Sequence, residues 1–166
     1  MKLPDRTRMP YRDCVGTAVF NKDGLVFIGR RKPEEDPEDS SEQGAPWQMP
    51  QGGIDKGETP RQAALRELLE EVGTDKAEII GEMDDWVTYD LPAHLVGVAF
   101  KGKYKGQRQK WFALRFTGQD DDIDLTSHEP EFSAFQWVSL EALPDLIVPF
   151  KRDTYKTVIA AFRNLG

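Results

Sequence analysis

The sequence predicts one domain of the α/β class, on three observations. Short apolar runs of strand character recur along the chain, a helix with clear start and stop signals interrupts them after residue 59, and an amphipathic stretch closes the sequence. At 166 residues, one core can bury about 70% of the unfolded surface. No internal repeat or composition break divides the chain, so residues 1–166 read as a single domain.

In order, residues 1–13 are polar and basic, with Pro4 and Pro10, and read as an arm, flexible over 1–10. CVGTAVFN (14–21) reads as a buried strand that takes Cys14 inside it. Asn21-Lys22-Asp23-Gly24 carries turn chemistry, and LVFIGRR returns as a second strand ending in the basic step Arg30, Arg31 and Lys32. Residues 33–45, rich in Pro, Glu, Asp and Ser, hold too few apolar groups to offset their own ordering and read as a mobile acidic loop. Thr59 is a good N-cap, Pro60 suits the first helical position, Gln62 completes a capping box, and Gly73 supplies the stop, which predicts a helix over 60–72. Strand-like segments follow at 77–83, 85–91 and 95–100. A basic stretch at 101–110, read as a solvated hairpin or a phosphate-attracting rim, leads into the alternating strand Trp111–Phe116. Residues 134–138 form a short strand, and Leu140–Leu143 a helical turn closed by Pro144. The helix over 149–164 takes Phe150, Tyr155, Val158, Ile159 and Phe162 as its apolar positions.

Composition narrows the function classes. No apolar run approaches the ~18 residues of a membrane span, and the N-terminus has no signal-peptide core. With a single cysteine there is no internal disulfide, so a cytoplasmic protein without a membrane partner is expected. The net charge of −7 argues against duplex DNA as a partner. That acidity is local: 33–43 and 119–131 each hold six acids and no base, and setting those twelve aside leaves 17 acids against 22 bases.

The chemistry concentrates in Gly52–Thr74, GGIDKGETPRQAALRELLEEVGT. At about 100° per residue, Leu65, Leu68, Leu69 and Val72 fall on one side of the helix and Glu67, Glu70 and Glu71 on the other. Arg66 is placed to pair with Glu70, whereas Glu67 and Glu71 form a like-charged i,i+4 pair costing about 0.2–0.5 kcal/mol unless a cation sits between them. Hard oxygen ligands in such a cluster suit Mg²⁺ or Mn²⁺ better than zinc. A bare ELLEE is more often a solvated acidic face; the fixed spacing from Gly52 through Glu58 to Arg66-Glu67-Leu68-Leu69-Glu70-Glu71-Val72-Gly73 changes that balance.

This stretch resembles the Nudix box, the signature of hydrolases that cut a nucleoside diphosphate linked to another group. Thr74 departs from it, standing where the family usually has an aliphatic residue. Beyond the box, several pieces resemble the branch of bacterial RNA pyrophosphohydrolases and dinucleoside polyphosphate hydrolases. They are Tyr11-Arg12, Trp47-Gln48 with Pro50-Gln51-Gly52-Gly53, Trp86 with Tyr89, Gln107 with Gln109-Lys110-Trp111-Phe112, Pro130-Glu131-Phe132 and Phe150-Lys151-Arg152-Asp153. Met49 replaces a common aromatic, and 33–45 looks like an insertion.

The resemblance implies a Nudix fold, a mixed β-sheet sandwiched between α-helices. It implies Mg²⁺ or Mn²⁺ on Glu67, Glu70 and Glu71, with a fourth carboxylate from Glu131. It also implies substrate contacts from Arg12, Arg31, Trp47, Gln48, Gln51, Phe150 and Lys151. Arg66 is expected to orient a glutamate, and Glu58 to be structural. The expected substrate is an RNA 5′ end or a dinucleoside polyphosphate, acted on by a monomer or weak oligomer. A binding module that senses a nucleotide without cutting it is the alternative from another class, and the intact carboxylate set speaks against it.

Overall fold

A computed structural model of the chain describes residues 9–31, 47–97, 102–126 and 132–166. Most of the expected arm, the whole acidic loop 33–45 and Glu131 lie outside the described residues.

The expected strand at 14–21 runs over Tyr11–Phe20 (β1), so Tyr11, Arg12 and Asp13 belong to the sheet rather than to an arm. Its partner Val26–Arg31 (β2) follows the turn that Asn21 organises, where Oδ1 accepts from the amides of Asp23 and Leu25 and Gly24 takes φ 77°. Two short strands then appear that the pattern does not announce, Trp47–Gln48 (β3) and Gln51–Gly53 (β4). The helix Pro60–Val72 (α1) starts as its sequence dictates: the Gln62 amide donates to Thr59 Oγ1 at 3.2 Å and the Thr59 amide to Gln62 Oε1 at 2.9 Å. It ends at Gly73, φ 78°, whose amide donates to the Leu69 carbonyl.

Ala77–Glu82 (β5), Val87–Asp90 (β6), Gly106–Phe116 (β7) and Phe132–Val138 (β8) complete the strands. The expected strand at 95–100 is not one over 95–97, where a short 3₁₀ helix and a turn follow Pro92. Nor are 106–110 a solvated hairpin: they are the first half of β7, with Gln107, Gln109 and Lys110 buried. Pro144 does not close a helical turn; it sits in the first turn of Leu143–Leu146 (α2), where its missing N–H costs nothing. The closing helix is Arg152–Phe162 (α3), entered through a 3₁₀ turn at Pro149–Lys151.

Among the described residues the strands form one mixed eight-stranded sheet, with β1 and β7 parallel in its middle over ten register pairs and every other pairing antiparallel. Strands covered on both faces read as nearly continuous apolar runs, which explains CVGTAVF. On one face α1 packs Ala63, Ala64, Leu68 and Val72 against Val15, Val19, Phe112 and Leu114. On the other, α2 and α3 pack Leu143, Tyr155, Val158, Ile159 and Phe162 against Ala18, Phe20, Ile28 and Trp111. The sheet is thus sandwiched between helices, the expected class. Among the described residues no helix is long and apolar enough to cross a membrane.

Candidate active site

The box helix is turned about its axis from the orientation its leucines suggest. Leu65 and Leu69 are 44% and 39% exposed, whereas Glu71 is 3% exposed. The buried stripe centres on Ala64, Leu68 and Glu71, roughly a quarter turn toward the acidic side at 100° per residue. Small alanines bring the backbone close to β1 and β4, and that contact outweighs burial of two leucines. Glu67 and Glu71 therefore fall within the packed arc rather than opposite it.

Two features hold the carboxylates. The Glu67 carboxyl lies against the backbone of Gly52, where any Cβ would overlap it. Arg66 reaches both sides of the site: Nη1 donates to Glu67 Oε1 at 2.8 Å and Glu70 Oε2 at 3.0 Å. Its Nε and Nη2 donate to Glu58 at 2.8 and 2.9 Å, and Nη2 also to the Gly53 carbonyl at 2.8 Å. These contacts, Glu58 first, raise the guanidinium pKa above its ordinary value and hold the Glu58 carboxyl below its own. Glu58 is structural, as expected, and Arg66 is the orienting residue that the sequence suggests.

Among the described residues no group of three or more His, Cys, Asp or Glu is already gathered as a metal cage. The donor set nonetheless fits a hard dication. It is all carboxylate, Glu67 occupies a cradle that only glycine leaves open, and Glu70 and Glu71 project from the next turn.

The remaining candidates divide between the faces. Gln48 is the register partner of Gly29, whose side of β2 carries Phe27 and faces α1, and Arg31 bonds to it, whereas the others lie on the α3 side. Register places Gly16 beside Gln51 and Cys14 beside Gly53, and Arg12 beside Gln107, so the pleat sends Arg12, Gln51 and Gln107 to the α3 side. The Arg12 guanidinium covers Gly53, whose Cβ would stand 2.7 Å from Nη2. Arg31 and Lys151, read as rim charges, are instead 3% and 2% exposed. Arg31 Nη1 donates to Gln48 Oε1 at 3.0 Å, which ties two candidates together and buries both. Lys151 Nζ lies 5.7 Å from the Tyr89 ring centre, and Phe150 packs on that ring at 5.7 Å. Trp47, expected as a substrate contact, is half-buried against the α3-side core.

Sequence reasoning did not include Tyr89, Gln107 and Gln109 among the site residues, although Gln107 and Gln109 stand two apart in β7, a polar pair that period 2 puts on the face of Trp111. It also missed an open cavity of about 330 Å³ beside Arg12, lined by Tyr11, Asp13, Gly53, Ile54, Asp55 and Tyr104.

The family model for the NUDIX domain matches residues 10–158. The chain belongs to the Nudix family. Among curated proteins, this Nudix chain is 52% identical to the RNA pyrophosphohydrolase of Mesorhizobium japonicum, covering 99% of this chain and 97% of that one. It is 52% identical to the RNA pyrophosphohydrolase of Brucella ovis, covering 99% and 94%. Among solved structures it resembles the E. coli dihydroneopterin triphosphate pyrophosphohydrolase, at TM-score 0.66 and 23% identity over 92% of this chain and 99% of that one. It also resembles the C. elegans Ap4A hydrolase, at TM-score 0.58 and 17% identity over 90% and 98%. At those identities the two structures speak for the Nudix fold alone.

Proposed function

We propose that this Nudix protein is a pyrophosphohydrolase that converts the 5′-triphosphate end of RNA into a 5′-monophosphate end, with dinucleoside polyphosphates as a second substrate class. The observation that carries the reading is the 52% identity, from end to end, to proteins named RNA pyrophosphohydrolase.

In this reading Glu67, Glu70 and Glu71 on α1, with Glu131, hold Mg²⁺ or Mn²⁺. Bound there, a divalent ion neutralises polyphosphate charge and lowers the pKa of an attacking water. A glutamate takes the proton as water adds to phosphorus, the bond to the bridging oxygen breaks, and that oxygen leaves with the departing phosphate. Arg66 keeps Glu67 and Glu70 in place through the bonds described above. Arg12, Arg31 and Lys151 supply positive charge to the phosphate chain, Gln48 and Gln51 supply neutral donors, and Trp47 and Phe150 supply stacking at about 1–3 kcal/mol per base without choosing among bases. The cavity beside Arg12, with two tyrosines in its wall, has room for the next part of a strand. A single-domain, cytoplasmic protein acting as a monomer or weak oligomer on single-stranded ends belongs to the same reading.

The test incubates the purified protein and Mg²⁺ with triphosphate-ended RNA and, separately, with diadenosine tetraphosphate. A higher kcat/KM on RNA, with monophosphate-ended product, is expected. Inert RNA beside rapid turnover of diadenosine tetraphosphate replaces the RNA reading with the dinucleotide one.

A further inference from the structure

A buried run of side-chain amides lies on the α3 face, outside every role assigned so far. Gln107 and Gln109 are each 1% exposed, and Trp111 is fully buried. They stand at alternate positions of β7 and so share one face. Gln51 belongs to β4, on the far side of β1 from β7. Gln109 reaches it across β1 because the position between Gln51 and Trp111 is Gly16. A Cβ there would stand 2.5 Å from the Trp111 ring.

The hydrogen bonds in this run have only one consistent direction. An indole N–H donates and never accepts. Trp111 Nε1 lies 3.1 Å from Gln109 Oε1, which settles which end of that amide is oxygen. Gln109 Nε2 then faces the other way and donates to Gln51 Oε1 at 2.9 Å and to Gln107 Oε1 at 2.8 Å. The Tyr89 hydroxyl donates to the same Gln107 oxygen at 2.9 Å. With its oxygen held by Gln109, Gln51 turns its NH₂ away from the network. That NH₂ makes no hydrogen bond among the described residues, and Gln51 is half-buried.

We propose that Gln109 is a positioning residue, set by Trp111, that fixes the Gln51 amide with its N–H donor toward the substrate. The proposal rests on the reading of Gln51 as a substrate contact. Phosphate oxygens accept hydrogen bonds and do not donate, so an amide presenting its carbonyl would repel what its NH₂ binds. A free glutamine samples both flips; Gln51 is held in one of them by Gln109, whose own flip is set by the donor-only Trp111 two residues along β7.

The experiment is a double-mutant cycle read on KM and kcat with triphosphate-ended RNA. Gln109→Met keeps the volume and removes the network, and it is expected to raise KM about 5- to 10-fold while kcat stays within about 2-fold. In a Gln51→Ala background the same change is expected to leave KM unaltered, because the group it positions is gone. Trp111→Phe keeps an aromatic ring, removes the indole donor, and is expected to raise KM about 2- to 3-fold. Should Gln109→Met not fold, Trp111→Phe with and without Gln51→Ala decides alone. A KM increase that persists undiminished in the Gln51→Ala background overturns the proposal and leaves the role of Gln51 standing. Wild-type KM in Gln51→Ala overturns both.

Discussion

On one side of the sheet β4 offers Gly52 to a carboxylate; on the other it offers Gln51 to a network of neutral amides. The two sides handle polarity by different means. Glu67, Glu70 and Arg66 keep partial contact with water, with side chains 13%, 43% and 26% exposed. The amides of Gln107 and Gln109 sit in the core at 1%. Desolvating a charge costs far more than desolvating an amide that keeps its hydrogen bonds. The Arg66 cluster therefore keeps its charges paired and partly wet, whereas neutral groups are used where a fixed direction is needed in the core. A three-residue strand joins the two.

The largest test of this contrast removes charge from the α1 side. Glu70→Gln and Glu71→Gln are each expected to lower kcat by about 100-fold or more with the circular dichroism spectrum unchanged. Near-normal turnover in either variant would remove α1 from the chemistry.

Next is the strand that joins the faces. Gly52→Ala puts a methyl where the Glu67 carboxyl lies. The end of a flexible side chain can move aside, so Tm is expected to hold within a few degrees while kcat falls about 10- to 100-fold. An active Gly52→Ala enzyme would mean that the position of Glu67 does not matter.

On the α3 side, Arg12→Ala is expected to raise KM about 5- to 10-fold and to flatten the salt dependence of binding, since Arg12 is half-buried over Gly53 beside the open cavity. Lys151→Ala, at a buried position, is expected to do the same and to lower Tm as well. Unchanged salt slopes in both would make the α3 face a core feature without a phosphate role.

The smallest effect is on stability alone. Glu58 has a lowered pKa, chiefly through its hydrogen bonds from Arg66. Its contribution is therefore fully present above the unfolded carboxyl's ordinary 4.5 and is lost as pH falls through the lower folded value. Glu58→Gln is expected to cost about 1–2 kcal/mol at neutral pH and to lessen the fall in Tm below about pH 4.5. Parallel Tm–pH curves for variant and wild type would count against the ion pair.

Much of this was legible from single residues with local consequences. Thr59, Gln62, Gly73 and Asn21 act on backbone within four positions, and each does what its chemistry implies. The facing of α1 was not legible, because two alanines against glycine-bearing β4 outweigh two leucines, and that needs the partner strand. Gln107 and Gln109 look like solvated polar residues until β1 pairs along them, with Arg12 and Cys14 as their register partners. Arg31 looks like a rim charge until β3 pairs with β2 and supplies Gln48.

The central pairing also sets the order in which the molecule can be made. Asp13 and Arg108 are register partners in the parallel β1–β7 pair, although 95 residues separate them. Closing so long a loop precedes any reward from the contacts it brings, which slows folding. During synthesis β4 and α1 emerge well before the strand that completes their sheet. A nascent chain ending near residue 100 thus carries the whole acidic box but only Gln51 and Tyr89 of the amide network, and the box still lacks the part of its packing surface that Phe112 and Leu114 of β7 supply.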